Sequence, residues 1–241
     1  MNFENTVPLF FDADSLDEGN QEYVRWDTQT APHAICFGAT GAGKTYAAKL
    51  ALGRLSTYFS AKAVICTYKG GADNDFDFLT GTPRFFEYDQ CSDGLDMFYQ
   101  SFQTRQSGKN ISRAFRLLVF DEWASYLSNL ASKKDVDAAT KKMATLLMLG
   151  RSYNCHIMVI QQRCDSSYFA TARDNFNLVI GLGNLSKEST AMFFSGYKEE
   201  ICPVHQQGEG YLLVNGTLRH IQVPTVRDRD KLNAAIRRLV E

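Results

Sequence analysis

The chain has 241 residues, enough for one α/β domain with a sizeable buried core. Hydrophobic residues make up 44% and charged residues 22%, ordinary values for a globular protein. A formal net charge of −1 excludes a protein that coats DNA through general basicity, but not one with a local basic loop.

The chain opens on the polar, acidic Asn2-Phe3-Glu4-Asn5 with no apolar stretch after it, so no secretory signal is expected. Its longest apolar runs fall far short of a membrane span, and a soluble, cytoplasmic protein is expected. Residues 1–30 read as a polar N-terminal extension in which Gln21 to Trp26 forms a short strand. His33 to Phe37 is apolar enough for a buried strand, and Tyr46 to Tyr58 has helical spacing of apolar residues.

Between them Gly38-Ala39-Thr40-Gly41-Ala42-Gly43-Lys44-Thr45 matches the phosphate-binding loop G-x-x-x-x-G-K-[ST] in full. The three glycines let the backbone curl so that successive N–H groups point at an anion, and the following helix adds its positive end. Lys44 is expected to reach the β- and γ-phosphates of ATP, and the Thr45 hydroxyl to bind Mg²⁺.

Ala61 to Thr67 is a second buried strand, followed by the turn Tyr68-Lys69-Gly70-Gly71 and an acidic stretch with Asp73, Asp75 and Asp77. A short strand at Phe85 to Tyr88, a helix from about Ser92 to Gln103 and a polar loop over Gln106 to Ser112 come next. Arg116 to Phe120 is a central strand that delivers Asp121 and Glu122 at its C-terminal end, the form of a Walker B strand. Asp121 would hold Mg²⁺, which prefers oxygen ligands and keeps several waters. Glu122 would orient and polarise the attacking water. A strand running into an acidic helix N-terminus would leave the same pair, but the P-loop upstream favours hydrolysis.

Asp135 to Leu149 is an amphipathic helix with Ala139, Met143, Leu146 and Leu147 on one stripe. Strands at His156 to Ile160 and Asn177 to Ile180, a helix at Lys187 to Phe194 and a hairpin around Asn215-Gly216 complete the pattern. A charged helix over Arg229 to Val240 ends it. Alternation of strand and helix predicts a mostly parallel sheet covered on both faces. The six cysteines form no C-x-x-C pair and read as free thiols.

The segment Leu149 to Arg163, L-G-R-S-Y-N-C-H-I-M-V-I-Q-Q-R, resembles the FtsK/HerA superfamily of DNA-pumping ATPases, which includes the coupling proteins of conjugation. The family shows a G-R-x-x-G-I-H-like turn, an apolar strand and a Q-R or Q-S tip. Arg151 and Gln162 stand eleven residues apart, matching that pattern. The resemblance implies a RecA-like P-loop NTPase: a single domain with a motor core over 31–225, a late β-hairpin and a C-terminal helix over 226–241. It implies that Arg151 is an arginine finger acting on a neighbour's nucleotide, and that Gln162 is the γ-phosphate sensor, with Gln161 as rival for that role. It further implies a homo-hexameric ring acting on double-stranded DNA without sequence preference. A membrane-embedded or capsid partner would place it at a membrane transfer complex or in a virion.

Two features depart from the family. Its second strand ends in Asp-x-Lys, but Tyr68 and Lys69 here lack that Asp, so Lys69 reads as a solvated turn lysine. Neither a transmembrane N-terminus nor a winged-helix C-terminus is recognisable, as in a minimal motor. Basic clusters at Lys133-Lys134, Lys141-Lys142 and Arg105, Lys109 and Arg113 read as solvated faces rather than a DNA grip. An ATP-hydrolysing assembly or switch protein is the other reading; a small-metabolite kinase fits less well, because it needs no activated water.

Overall fold

A computed structural model describes residues 6–70, 74–162 and 168–241. The strands are β1 (Thr6–Asp12), β2 (Tyr23–Asp27), β3 (His33–Gly38), β4 (Lys62–Thr67), β5 (Phe85–Glu87), β6 (Arg116–Asp121), β7 (Cys155–Gln161), β8 (Leu178–Leu182), β9 (Glu209–Val214) and β10 (Thr217–Gln222). All ten join one sheet in the order β2-β1-β10-β9-β8-β3-β7-β6-β4-β5. From β8 to β5 every pairing is parallel, whereas β9, β10, β1 and β2 add on in antiparallel fashion.

The helices are α1 (Ala13–Asp17), α2 (Lys44–Tyr58), α3 (Cys91–Gln106), α4 (Trp123–Ser128), α5 (Lys133–Leu149), α6 (Lys187–Phe193) and α7 (Arg229–Val240). The central strands are buried on both faces, and alternate side chains divide the core in two. Ala34 and Cys36 of β3 and Leu117 and Val119 of β6 join the cluster that α2 and α7 cover. Ile35 and Phe37, with Leu118 and Phe120, join the cluster beneath α3, α4 and α5. The helical stripe expected over Asp135 to Leu149 is the buried face of α5, whose N-cap Ser132 accepts the Asp135 N–H. Asn215 and Gly216, with φ of 49° and 76°, make the tight β9–β10 hairpin turn.

Three parts of the fold differ from the expectation. Thr6–Asp12, taken as part of a polar extension, is the buried strand β1, with Val7, Leu9 and Phe10 fully enclosed. The short helix α4 was not foreseen; it starts abruptly from Glu122, whose φ of 62° is left-handed. Arg105 is not a solvated loop residue, because α3 runs on to Gln106 and buries it. Its guanidinium donates to the carbonyls of Tyr153 at 2.7 Å and Ala114 at 2.9 Å.

Candidate functional site

In the parallel part of the sheet the C-terminal strand ends lie side by side, the edge where α/β sheets gather ligands. Strand β7 separates β3 from β6, with Phe37 in register with Gln161 and Asp121 with Ile160. The P-loop leaving β3, the Gln161–Gln162 tip of β7 and the Asp121–Glu122 pair of β6 are therefore neighbours.

The loop is shaped by positive φ at Gly41 (81°) and Gly43 (93°), the latter capping α2. Gly38 is required by a close approach: a Cβ there would stand 2.2 Å from the Leu182 carbonyl oxygen of β8. Lys44 is buried, and its Nζ donates to the Ala39 carbonyl at 2.9 Å, across the mouth of the loop. Burial lowers the pKa of this amine, against the pull of Cys36, Glu122 and Asp121. Ala42 closes the loop with an N–H to the Ala39 carbonyl at 3.2 Å, and Thr45 is half-buried in the first turn of α2.

Thr40 Oγ1 donates to Gln162 Oε1 at 3.3 Å, tying the loop directly to the β7 tip. Gln161, by contrast, is fully buried. Arg163, Cys164 and Asp73 lie outside the described residues. A cavity of about 320 Å³ borders the loop, lined by Gly38, Ala39, Thr40 and Gln162 on one side and Asn184 and Ser186 on the other.

Asp121 is wholly enclosed. Its Oδ2 accepts the Thr67 hydroxyl at 3.1 Å and pairs with Lys69 Nζ at 3.3 Å. Lys69 is thus not a solvated lysine: it bridges Asp121 to Asp75, 3.5 Å away. Burial pushes the Asp121 carboxyl up to about 6, with Lys69 pulling it down and Glu122 adding to the rise. Burial opposes the charge on Lys69, but Asp121, Asp75 and Glu122 outweigh it and raise its pKa. Asp121 Oδ1 is buried without a hydrogen-bond partner. A buried carboxylate oxygen without a partner is a group that a hydrated Mg²⁺ would satisfy, and the Thr45 hydroxyl in the first turn of α2 is the other candidate ligand. Glu122 sits beside it, buried, its N–H held by the Ile160 carbonyl at 2.8 Å.

One participant gave no sequence signal. Gln207 Nε2 donates to the Gly41 carbonyl at 2.8 Å, and the neighbouring Gly208 backs Gly43 at 3.7 Å from an added Cβ. The turn before β9 therefore braces the P-loop from behind.

Arg151 is not part of this cluster. It is exposed in a 3-10 turn (Gly150–Tyr153) that enters β7 from the opposite end. The length of β7, from Cys155 to Gln161, separates it from the P-loop edge by about 20 Å at ordinary strand rise. The turn is held firmly: Arg113 donates to the Ser152 carbonyl at 2.6 Å, and Arg105 to Tyr153. Met148 and Leu149, 50% and 44% exposed, flank it. Of the other basic clusters, Lys133, Lys134, Lys141 and Lys109 are exposed, and Lys142 pairs with Asp96.

No protein-family model matches the chain. The FtsK domain-containing protein YdcQ of Bacillus subtilis (strain 168) is 23% identical over 220 residues, a match covering 85% of this chain and 45% of YdcQ. The chain thus spans less than half the length of that relative. Among solved structures, the cytoplasmic domain of the Thermomonospora curvata type VII secretion ATPase EccC superposes with a TM-score of 0.72 at 21% identity, over 99% of this chain and 31% of that one. The pCW3 conjugation coupling protein TcpA, solved with ATPγS, gives a TM-score of 0.69 at 17% identity, over 98% of this chain and 71% of TcpA. The fold is that of a RecA-like P-loop ATPase domain, a mixed and mostly parallel sheet with helices on both faces. Among the described residues no helix is long and apolar enough to cross a membrane.

Proposed function

We propose that this chain, whose motifs, sequence and fold resemble those of the FtsK/HerA ATPases, is a motor domain that hydrolyses ATP and moves double-stranded DNA as an oligomeric ring. In its chemical step the P-loop N–H groups and Lys44 hold the phosphates, while Glu122 orients a water and takes its proton as that water attacks the γ-phosphate. When bound, Mg²⁺ held by Thr45 and Asp121 neutralises charge on the phosphate oxygens. Lys69 keeps Asp121 charged for that purpose. Gln162, hydrogen-bonded to Thr40 of the loop, carries loss of the γ-phosphate into β7.

The observation that supports the ring is the separation of Arg151 from its own P-loop by the whole length of β7, together with the family-like spacing from Arg151 to Gln162. In this reading Arg151, too far from its own P-loop to reach it, serves the nucleotide of a neighbouring subunit, and a head-to-tail contact of that kind forms a ring where its rotation closes. The apolar rim of Met148 and Leu149 beside it suits a subunit contact. The likeness to a conjugation coupling protein and to an FtsK domain supports DNA as the cargo, in conjugative transfer or genome packaging.

The likeness to a secretion ATPase favours a second reading, an ATP-driven assembly or switch that pumps no DNA. ATP turnover with and without linear duplex DNA separates the two. The DNA motor predicts severalfold stimulation and, by electron microscopy with an ATP analogue, six-fold rings around the duplex. Rings whose turnover ignores DNA would overturn the cargo and leave the second reading.

A further inference from the structure

Far from the P-loop, the starts of β4, β5 and β6 and one face of α3 enclose a cavity of about 360 Å³. Pro83, Met97 and Phe98 give its wall an apolar part, and Lys62, Arg84 and Arg116 bring three cations to it. Met97 is 41% exposed at its mouth.

The cations are uncompensated. Among the described residues neither the Arg84 nor the Arg116 guanidinium has an ion pair or hydrogen bond, and Arg84 Nη1 is shut off from solvent with no acceptor. Lys62 Nζ reaches only the Arg238 carbonyl, at 3.2 Å. Burial, followed by the nearby Arg105 and Arg84, lowers the pKa of Arg116. Bringing like charges together and closing off a guanidinium N–H both cost free energy, and buried donors in folded proteins are nearly always satisfied. Folding has created a place that an anion would stabilise.

We propose that this cavity binds an organic oxyanion: a carboxylate or phosphate carried on a flat or branched apolar body. Two guanidiniums offer the fork geometry that takes an oxyanion through paired N–H bonds. Pro83, Met97 and Phe98 cover the body, and the volume lies in the range of small-ligand sites. A bare phosphate or a nucleic-acid backbone would use the cations and leave the apolar wall empty. The site stands at the opposite end of the sheet from the nucleotide edge and does not rest on the motor reading.

The test is an NMR titration of the whole chain with 2-naphthoate, its uncharged amide as control and inorganic phosphate as competitor. Naphthoate should shift the Arg84, Met97 and Ser101 signals, and the amide should bind at least about tenfold more weakly, as should naphthoate to R84Q. Unchanged binding of a fluorescent ATP analogue by R84Q shows that it is folded; should R84Q fail to fold, R84K, which keeps the charge but loses the fork, is expected to weaken naphthoate severalfold. A second arm uses the peptide acetyl-Asp-Phe-Asp-amide. Tighter binding than naphthoate assigns the anion to a polypeptide side chain, weaker binding to a free small molecule, and both support the site. Equal affinity for the amide, displacement by inorganic phosphate at equal concentration, wild-type affinity in R84Q or R84K, or no shift at millimolar naphthoate would each overturn it.

Discussion

Asp121 meets opposite demands: burial pushes its carboxyl up to about 6, while its place in the candidate site calls for the charged form. Among the described residues Lys69 is the cation paired with it, and Lys69→Met should therefore raise the carboxyl further. The acid limb of ATP turnover should move to higher pH by about one unit, the size of one lost close ion pair. An unmoved limb would show that Lys69 is only structural. Glu122→Gln should bind ATP while hydrolysis falls by about a hundredfold or more; normal turnover would remove Glu122 from the role of base. The buried pair His33 and His156, lowered by desolvation to about 3 and about 4, gives the clearest pH dependence of stability. Both are depressed, so their contribution is complete above the unfolded value near 6.5 and is lost as pH falls toward 4. Each costs about 1.4 kcal/mol per pH unit, and Asp121, raised rather than lowered, opposes with one such slope between about 4 and 6. Urea unfolding should therefore show a net loss of about 1.4 kcal/mol per unit from pH 6 to 4, nearly abolished in His156→Gln.

Arg105 is a joint between elements. Arg105 of α3 donates to carbonyls of the turn before β7 and of the loop before β6, so Arg105→Ala should cost about 3 kcal/mol and loosen the Arg151 turn. Thermal unfolding together with exchange at Ser152 to Asn154 would check both effects. The same joint marks how far the sequence could be read. The P-loop and the Asp121–Glu122 strand were legible because each is a dense local pattern with its flanking elements in place. Lys69 was not, since its partner lies on the adjacent strand β6, more than fifty residues away in sequence, and the familiar Asp before it is missing. Arg105 was misread because a basic residue near a polar loop gives no sign that the helix continues and encloses it. Strand β1 was hidden by Pro8 and by its acidic flank, although its pairing with β2 and β10 buries it. The bracing of Gly41 by Gln207 depends on a contact between distant segments, which no local pattern records.

For the whole molecule, the two ends of the sheet carry different halves of the proposed chemistry. Mixed rings containing Arg151→Ala subunits should lose ATP turnover more steeply than the fraction of variant, while the variant alone still binds ATP. A strictly proportional decline would argue against a shared site. The ten-stranded order has another consequence: β3 lies inside the sheet, with five strands to one side and four to the other. Its amides can meet solvent only when almost the whole sheet comes apart, whereas β2 and β5 at the margins can open alone. In deuterium-exchange mass spectrometry the P-loop strand should be among the last peptides to take up label, at a rate set by global unfolding. The strand that leads into the P-loop would then report the lifetime of the entire fold.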